Sequence, residues 1–231
     1  MMPHPAKPAK EKFACRLLVE GSADYNFFGH LFVKRKLYEK QGKTIIPKGF
    51  ETCPAGDWVG VLNGLAQITD KDVEILGIIV DADTDLRQRW KDIKDKLQEF
   101  ELDYTLPVDP APQGWTSDPQ EGKKRLGIWI MPNNKTKGIL EDFIIRMRHD
   151  NEDNQRLWGH VEHSINTLPD GPRFDESKDL AKAQVATWLA WQEEPGHPMG
   201  LAVSMGYVDA HSETVDDFIN WLKRLFQLQP S

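Results

Sequence analysis

The chain has 231 residues, 39% of them hydrophobic and 28% charged, with a formal net charge of −7. This length suits one large α/β domain, or one domain with an appended subdomain, and no apolar run approaches the roughly 20 residues of a membrane span. The acidic balance argues against a broad basic grip on a nucleic-acid backbone, although divalent ions held at an acidic site would offset part of it.

Residues 1–12 carry three prolines and three lysines without periodicity, so a disordered tail is expected, with a basic arm for a phosphate backbone as the alternative. They contain no apolar signal-peptide core, and a cytoplasmic protein without a membrane segment is expected. A single domain is expected over residues 13–231, with a helical extension from about residue 151.

Ala14 to Val19 reads as a first strand, closed by Glu20 and Gly21. From Asp24 the pattern becomes helical, with Phe27, Phe28, Leu31 and Phe32 on one face. Asp24 lies in the first turn, where it can complement the helix dipole, act as a cap or bind a metal. The Lys34, Arg35 and Lys36 cluster suits a helix end. Phe50 to Cys53 is a weak strand, and Asp57 precedes a helix carrying Val59, Leu62, Leu65 and Ile68. Cys15 and Cys53 lie in or beside strands and read as reduced thiols, without a zinc motif.

The central segment is Val73 to Val80, an apolar run of the kind buried on both faces, which ends in Asp81, Asp83 and Asp85. If strand geometry continues beyond Val80, the period of two puts Asp81 and Asp83 on the same side. Converging carboxylates repel unless protonated or bridged by a cation, and hard oxygen ligands favour Mg²⁺ or Mn²⁺. The alternative is that Asp83 or Thr84 caps the following helix, whose apolar positions are Leu86, Trp90, Ile93, Leu97 and Phe100.

Residues 103–125 read as a long loop carrying the Lys123, Lys124 and Arg125 charge run. Leu126 to Met131 is a further buried strand, turned at Pro132 to Asn134. Glu141 and Asp142 then begin a helix, as dipole complement or as a further part of an acidic cluster. Beyond Asn151 three apolar stripes predict helices covering one sheet face: Leu157, Val161, Ile165 and Leu168; then Val185, Trp188 and Leu189; then Val215 to Phe226. His160 and His163 have no third imidazole or thiol nearby and read as exposed. Strands alternating with helices predict an α/β fold with a doubly wound, mostly parallel sheet, and such sheets carry their sites at the strands' carboxyl ends.

Glu20-Gly21 after a first strand, followed by Asp81 and Asp83 after a hydrophobic one, resembles the Toprim signature of topoisomerases, bacterial primases and overcoming-lysogenisation-defect (OLD) nucleases. The Glu20 to Asp24 segment is most similar to the OLD form. After residue 12 the chain resembles a family of small, stand-alone Toprim-like bacterial proteins that carries a domain-of-unknown-function label. The matching stretches are Gly77 to Asp83, Gly127 to Asn133, Gly138 to Phe143, and Lys182 to Gln192 with Pro195 and Gly196.

The resemblance implies a Toprim-like, Rossmann-like fold and a metal-dependent nuclease acting on DNA or RNA with one or two Mg²⁺ or Mn²⁺ ions. Glu20, Asp81 and Asp83 map to the metal-binding triad, with Glu20 as metal ligand or as general acid or base. Asp24, Asp85 and Glu141 are candidates for a second ion. Lys182 corresponds to a lysine that stabilises charge at the scissile phosphate. The OLD pattern includes a fused ATPase domain not seen in this sequence, so the resemblance leaves room for a separate ATPase partner. A non-catalytic Toprim scaffold that binds metal or nucleic acid within a complex is the alternative.

Overall fold

The structure, a computed structural model, describes residues 14–37, 50–118, 123–171 and 174–227. The expected tail at residues 1–12 lies outside them. The apolar runs form parallel strands β1 (Cys15–Val19), β3 (Ile75–Asp81) and β5 (Arg125–Met131), with β2 (Phe50–Pro54) at one edge and β4 (Trp115–Thr116) at the other. The order is β2-β1-β3-β5-β4, and only β4 runs antiparallel.

Alternation along the strands divides the interior into two cores. Cys15, Leu17, Val19, Ile79, Trp129 and Met131 face one way; Leu18, Leu76, Ile78, Val80, Leu126, Ile128 and Ile130 face the other. The second face is covered by α2 (Trp58–Gly64), its 3₁₀ continuation Leu65–Thr69, and α3 (Leu86–Glu99). The first is covered by α1 (Ser22–Lys34), α4 (Leu140–Arg146), α5 (Glu152–Asn166), α6 (Glu176–Ala190), α7 (Leu201–Met205) and α8 (Glu213–Phe226). The fold is therefore the expected mixed α/β arrangement, with a mostly parallel sheet between helices and a helical C-terminal part.

Helix α8 packs closely on the first face. Gly77 and Gly127 are register partners on adjacent strands, and a Cβ at either would come within 2.8 Å or 2.6 Å of a Leu225 methyl. The paired glycines let α8 approach the sheet backbone, where Trp129 meets Phe218 edge-on and Trp221 at a tilt. Burial of each such large side chain is worth about 1.5–3 kcal/mol. Arg35, at the end of α1, ties this layer together by donating to Asp216 at 2.6 Å and to the Ala210 carbonyl at 2.9 Å.

Four expectations shift. Val59, expected on the apolar face of α2, is exposed, and Val61 is buried instead. The 103–125 loop contains β4, which is too short to show a period; it is held by the β5 ladder and by Trp221 Nε1 donating to the Trp115 carbonyl at 3.0 Å. The α5 stripe runs through Trp158, Val161 and Ile165, leaving Leu168 40% exposed, because the helix ends at Asn166. Strand β3 begins at Ile75 and includes Asp81. Both cysteines are free, and burial pushes their thiols up, Cys15 to about 11 and Cys53 to about 12, which favours the protonated thiol. Among the described residues no helix is long and apolar enough to cross a membrane.

Candidate metal centre

The carboxyl ends of β1 and β3 are neighbours because the two strands pair in parallel. Glu20 follows β1 directly, and its Oε1 accepts a hydrogen bond from the Asp81 amide at 2.8 Å. This bond joins residues 61 positions apart in the chain. Burial is the main cause that pushes the Glu20 carboxyl up to about 7; Asp24 and Asp83 add to the rise, while the Asp81 amide and the Arg89 charge oppose it.

Asp81 is the last residue of β3, and its Oδ1 is buried without a hydrogen-bond partner. Its carboxyl is held well above the usual carboxylate range, first by burial and then by the charges of Glu20, Asp24, Glu141 and Asp83. The structure thus brings acids from four segments to one sheet edge. A buried carboxylate oxygen without a donor, surrounded by further carboxylates, suits a hard divalent cation by the chemistry of its donors. Among the described residues, however, no three His, Cys, Asp or Glu side chains are already gathered as a ligand set. Glu20 spends an oxygen on the Asp81 amide, and Asp83 is paired elsewhere.

Asp83 departs from the strand expectation. The ladder ends at Asp81, and Asp83 adopts a left-handed backbone at φ 50°. Its carbonyl accepts from the Gly138 amide at 2.8 Å, so the turn is fastened to the loop before α4 rather than extended along β3. Gly138, at φ 138°, is required there, since a Cβ would lie 2.6 Å from Asp142 Oδ2. The Asp83 carboxylate pairs with Arg89 Nη2. Arg89 in turn lies over the Trp58 ring, 3.9 Å from its centroid. The period-of-two argument therefore fails for Asp83, although its charge still acts on Asp81.

Asp24 takes its expected capping role and also stands beside the other acids. Its Oδ2 accepts from the Gly21 amide at 3.0 Å, closing the first turn of α1, while its charge raises both Glu20 and Asp81. Burial lifts its own carboxyl. Asp85 is a helix cap: its Oδ1 accepts from the amides of Arg87 and Gln88, both at 3.0 Å. The cap reading offered for Asp83 or Thr84 thus belongs to Asp85.

Glu141 stands in the first turn of α4, next to Asp142, whose Oδ2 receives the Ile139 amide at 2.9 Å. Burial raises Glu141, and the Lys182 charge opposes that rise. Lys182, on α6, bonds directly to Asp179 Oδ1 at 3.1 Å. That bond is the main cause that raises its ammonium, with further support from the charges of Glu141 and Asp81. It lines a cleft of about 580 Å³ with Asp83, Lys137, Gly138, Asp142 and Lys178. The acidic cluster is consequently flanked by Arg89 from one sheet face and Lys182 from the other.

Other residues considered in the sequence have partners elsewhere in the fold. The His160 ring meets Trp191 edge-on, Lys123 pairs with Asp103 at 2.6 Å, and Trp188 is core. Arg89 is not among the residues that the sequence pattern singles out on this helix. The available signal was its position: a cation in the opening turns of α3 opposes the helix dipole and implies an acidic partner nearby.

A family model described as a protein of unknown function (DUF3226) matches residues 15–227, and the chain belongs to that family. No curated protein and no solved structure matches it.

Proposed function

We propose that this member of the DUF3226 family is a divalent-metal-dependent phosphoryl-transfer protein, a Toprim-type nuclease acting on DNA or RNA. The observation that carries the reading is Asp81: a buried carboxylate at the end of the central strand, with an unpartnered Oδ1 and the charges of Glu20, Asp24, Glu141 and Asp83 around it. A buried polar atom left without a partner is costly, and acids perturbed by burial and by one another cluster at functional sites.

In this reading Glu20, Asp81 and Asp83 hold one Mg²⁺ or Mn²⁺ ion, and Asp24 and Glu141 contribute to a second. Asp85 is left out because its carboxylate caps α3. Bound divalent ions supply Lewis-acid polarisation of a phosphate oxygen and acidification of a bound water. Glu20 completes the ligand set, or exchanges a proton with the attacking or leaving oxygen. Lys182, whose charge acts on Glu141 and Asp81, offsets negative charge at the scissile phosphate. A separate ATPase partner belongs to the same reading.

The test is incubation of the purified protein with plasmid, linear and single-stranded DNA and with RNA, in Mg²⁺ or Mn²⁺. Cleavage that disappears in Asp81→Ala is the expected outcome; cleavage that survives the change overturns the assignment. The Asp83–Arg89 pair favours a second reading, a scaffold that binds metal or nucleic acid without cutting. That reading gains if no substrate is cut while calorimetry detects metal binding that depends on Glu20.

A further inference from the structure

Arg89 is in direct contact with an acid of the cluster. Its guanidinium pairs with Asp83, its charge acts on Glu20, and its plane is seated over Trp58. The Arg89 side chain is 11% exposed, whereas Asp83 is 53% exposed and lines the 580 Å³ cleft. The ion pair therefore sits at the boundary between the buried acids and open space. A surface ion pair alone would contribute little; this one is held on an aromatic face that fixes the guanidinium at the cluster's edge.

We propose that Arg89 is a phosphate-receiving residue held in reserve on Asp83. In the metal-free protein it neutralises Asp83. When Asp83 turns to a divalent cation, the guanidinium is released at the cluster's edge, still within reach of Trp58. Its planar fork then pairs with the phosphate group of a nucleotide or polynucleotide. The inference rests on the metal reading above and adds a consequence to it: metal and phosphate bind cooperatively, because both are served by breaking the same ion pair. Coupling of this kind is reciprocal.

The experiment is calorimetric titration of Mn²⁺ into the full chain and into Arg89→Gln and Arg89→Lys, alone and with thymidine 5′-monophosphate, with thymidine as the phosphate-free control. Alone, Arg89→Gln binds Mn²⁺ about threefold or more tighter than the parent, since the competing cation is gone. With the monophosphate, the parent's Mn²⁺ affinity rises about fivefold or more. That rise is largely lost in Arg89→Gln and partly kept in Arg89→Lys, and thymidine produces none. Circular dichroism confirms that the variants are folded.

If Arg89→Gln binds Mn²⁺ no tighter than the parent, or keeps the full phosphate-linked rise, Arg89 merely orders the Asp83 turn and the inference is overturned while the metal reading stands. If neither parent nor variant binds Mn²⁺, the metal reading fails and this inference with it.

Discussion

Replacing Glu20 by Gln removes one buried negative charge while keeping the Oε1 acceptor for the Asp81 amide. The native carboxyl is pushed from 4.5 to about 7, chiefly by burial. Each unit is worth about 1.4 kcal/mol, so ionised Glu20 costs the metal-free fold about 3 kcal/mol. The direction follows from proton binding. Between the two values the folded protein holds a proton that the unfolded chain has released, so stability is lost as pH rises from about 4.5 to about 7 and stays lost above it. Glu20→Gln escapes this loss and also lowers the repulsion on Asp81, for which Glu20 is the largest cause after burial. The metal-free variant is therefore expected to be more stable than the parent at about pH 8, by up to about 3 kcal/mol, with no gain near pH 4. For a chain of this size that corresponds to a midpoint rise of roughly 5–10 °C. Thermal denaturation in the presence of a chelator, at both pH values, measures it. Adding Mg²⁺ then stabilises the parent by mass action and leaves the variant unmoved. A variant that is less stable at pH 8, or whose gain is independent of pH, would refute the reasoning.

The other predictions concern the cap and the packing of α8. Asp85→Ala lowers stability by about 1 kcal/mol, as loss of an N-cap does, and leaves Mn²⁺ affinity unchanged; a large loss of affinity in calorimetry returns Asp85 to the ligand set. Gly127→Val forces a side chain into the Leu225 methyls and costs about 1–3 kcal/mol or more in urea denaturation, because both sheet and helix are fixed there. Trp221→Ala empties a fully buried site and removes the bond to the Trp115 carbonyl. A loss of about 3–5 kcal/mol is expected, with faster amide exchange at the β4 edge than at β1; uniform exchange across the sheet argues against a local role for the Trp221–Trp115 link.

Much of the fold is legible along the chain because burial imposes periods. The apolar runs at β1, β3 and β5 state that those strands are covered on both faces, and α1, α3 and α8 show their buried stripes directly. What is short or held by distant partners is not legible: β4 has two residues, and its place depends on the β5 ladder and Trp221. The end of α5 depended on where its cap fell, so Leu168 reads as part of a stripe that it does not join.

The candidate site divides along the same line. That Glu20 and Asp81 end two strands is written in the sequence, since a continuous apolar run followed by an acid marks a carboxyl edge wherever strands are parallel. The choice of partners was decided only by the tertiary structure. Strand pairing sets the Asp81 amide against Glu20, the Gly138 contact bends Asp83 out of the strand line, and packing of α3 against α2 brings Arg89 over Trp58 to meet it. Glu141 and Lys182 reach the same edge from α4 and α6. Charges act through space at a few ångströms irrespective of chain separation, so the environment of a carboxylate depends on which segments the folded chain brings beside it, and no local period records that.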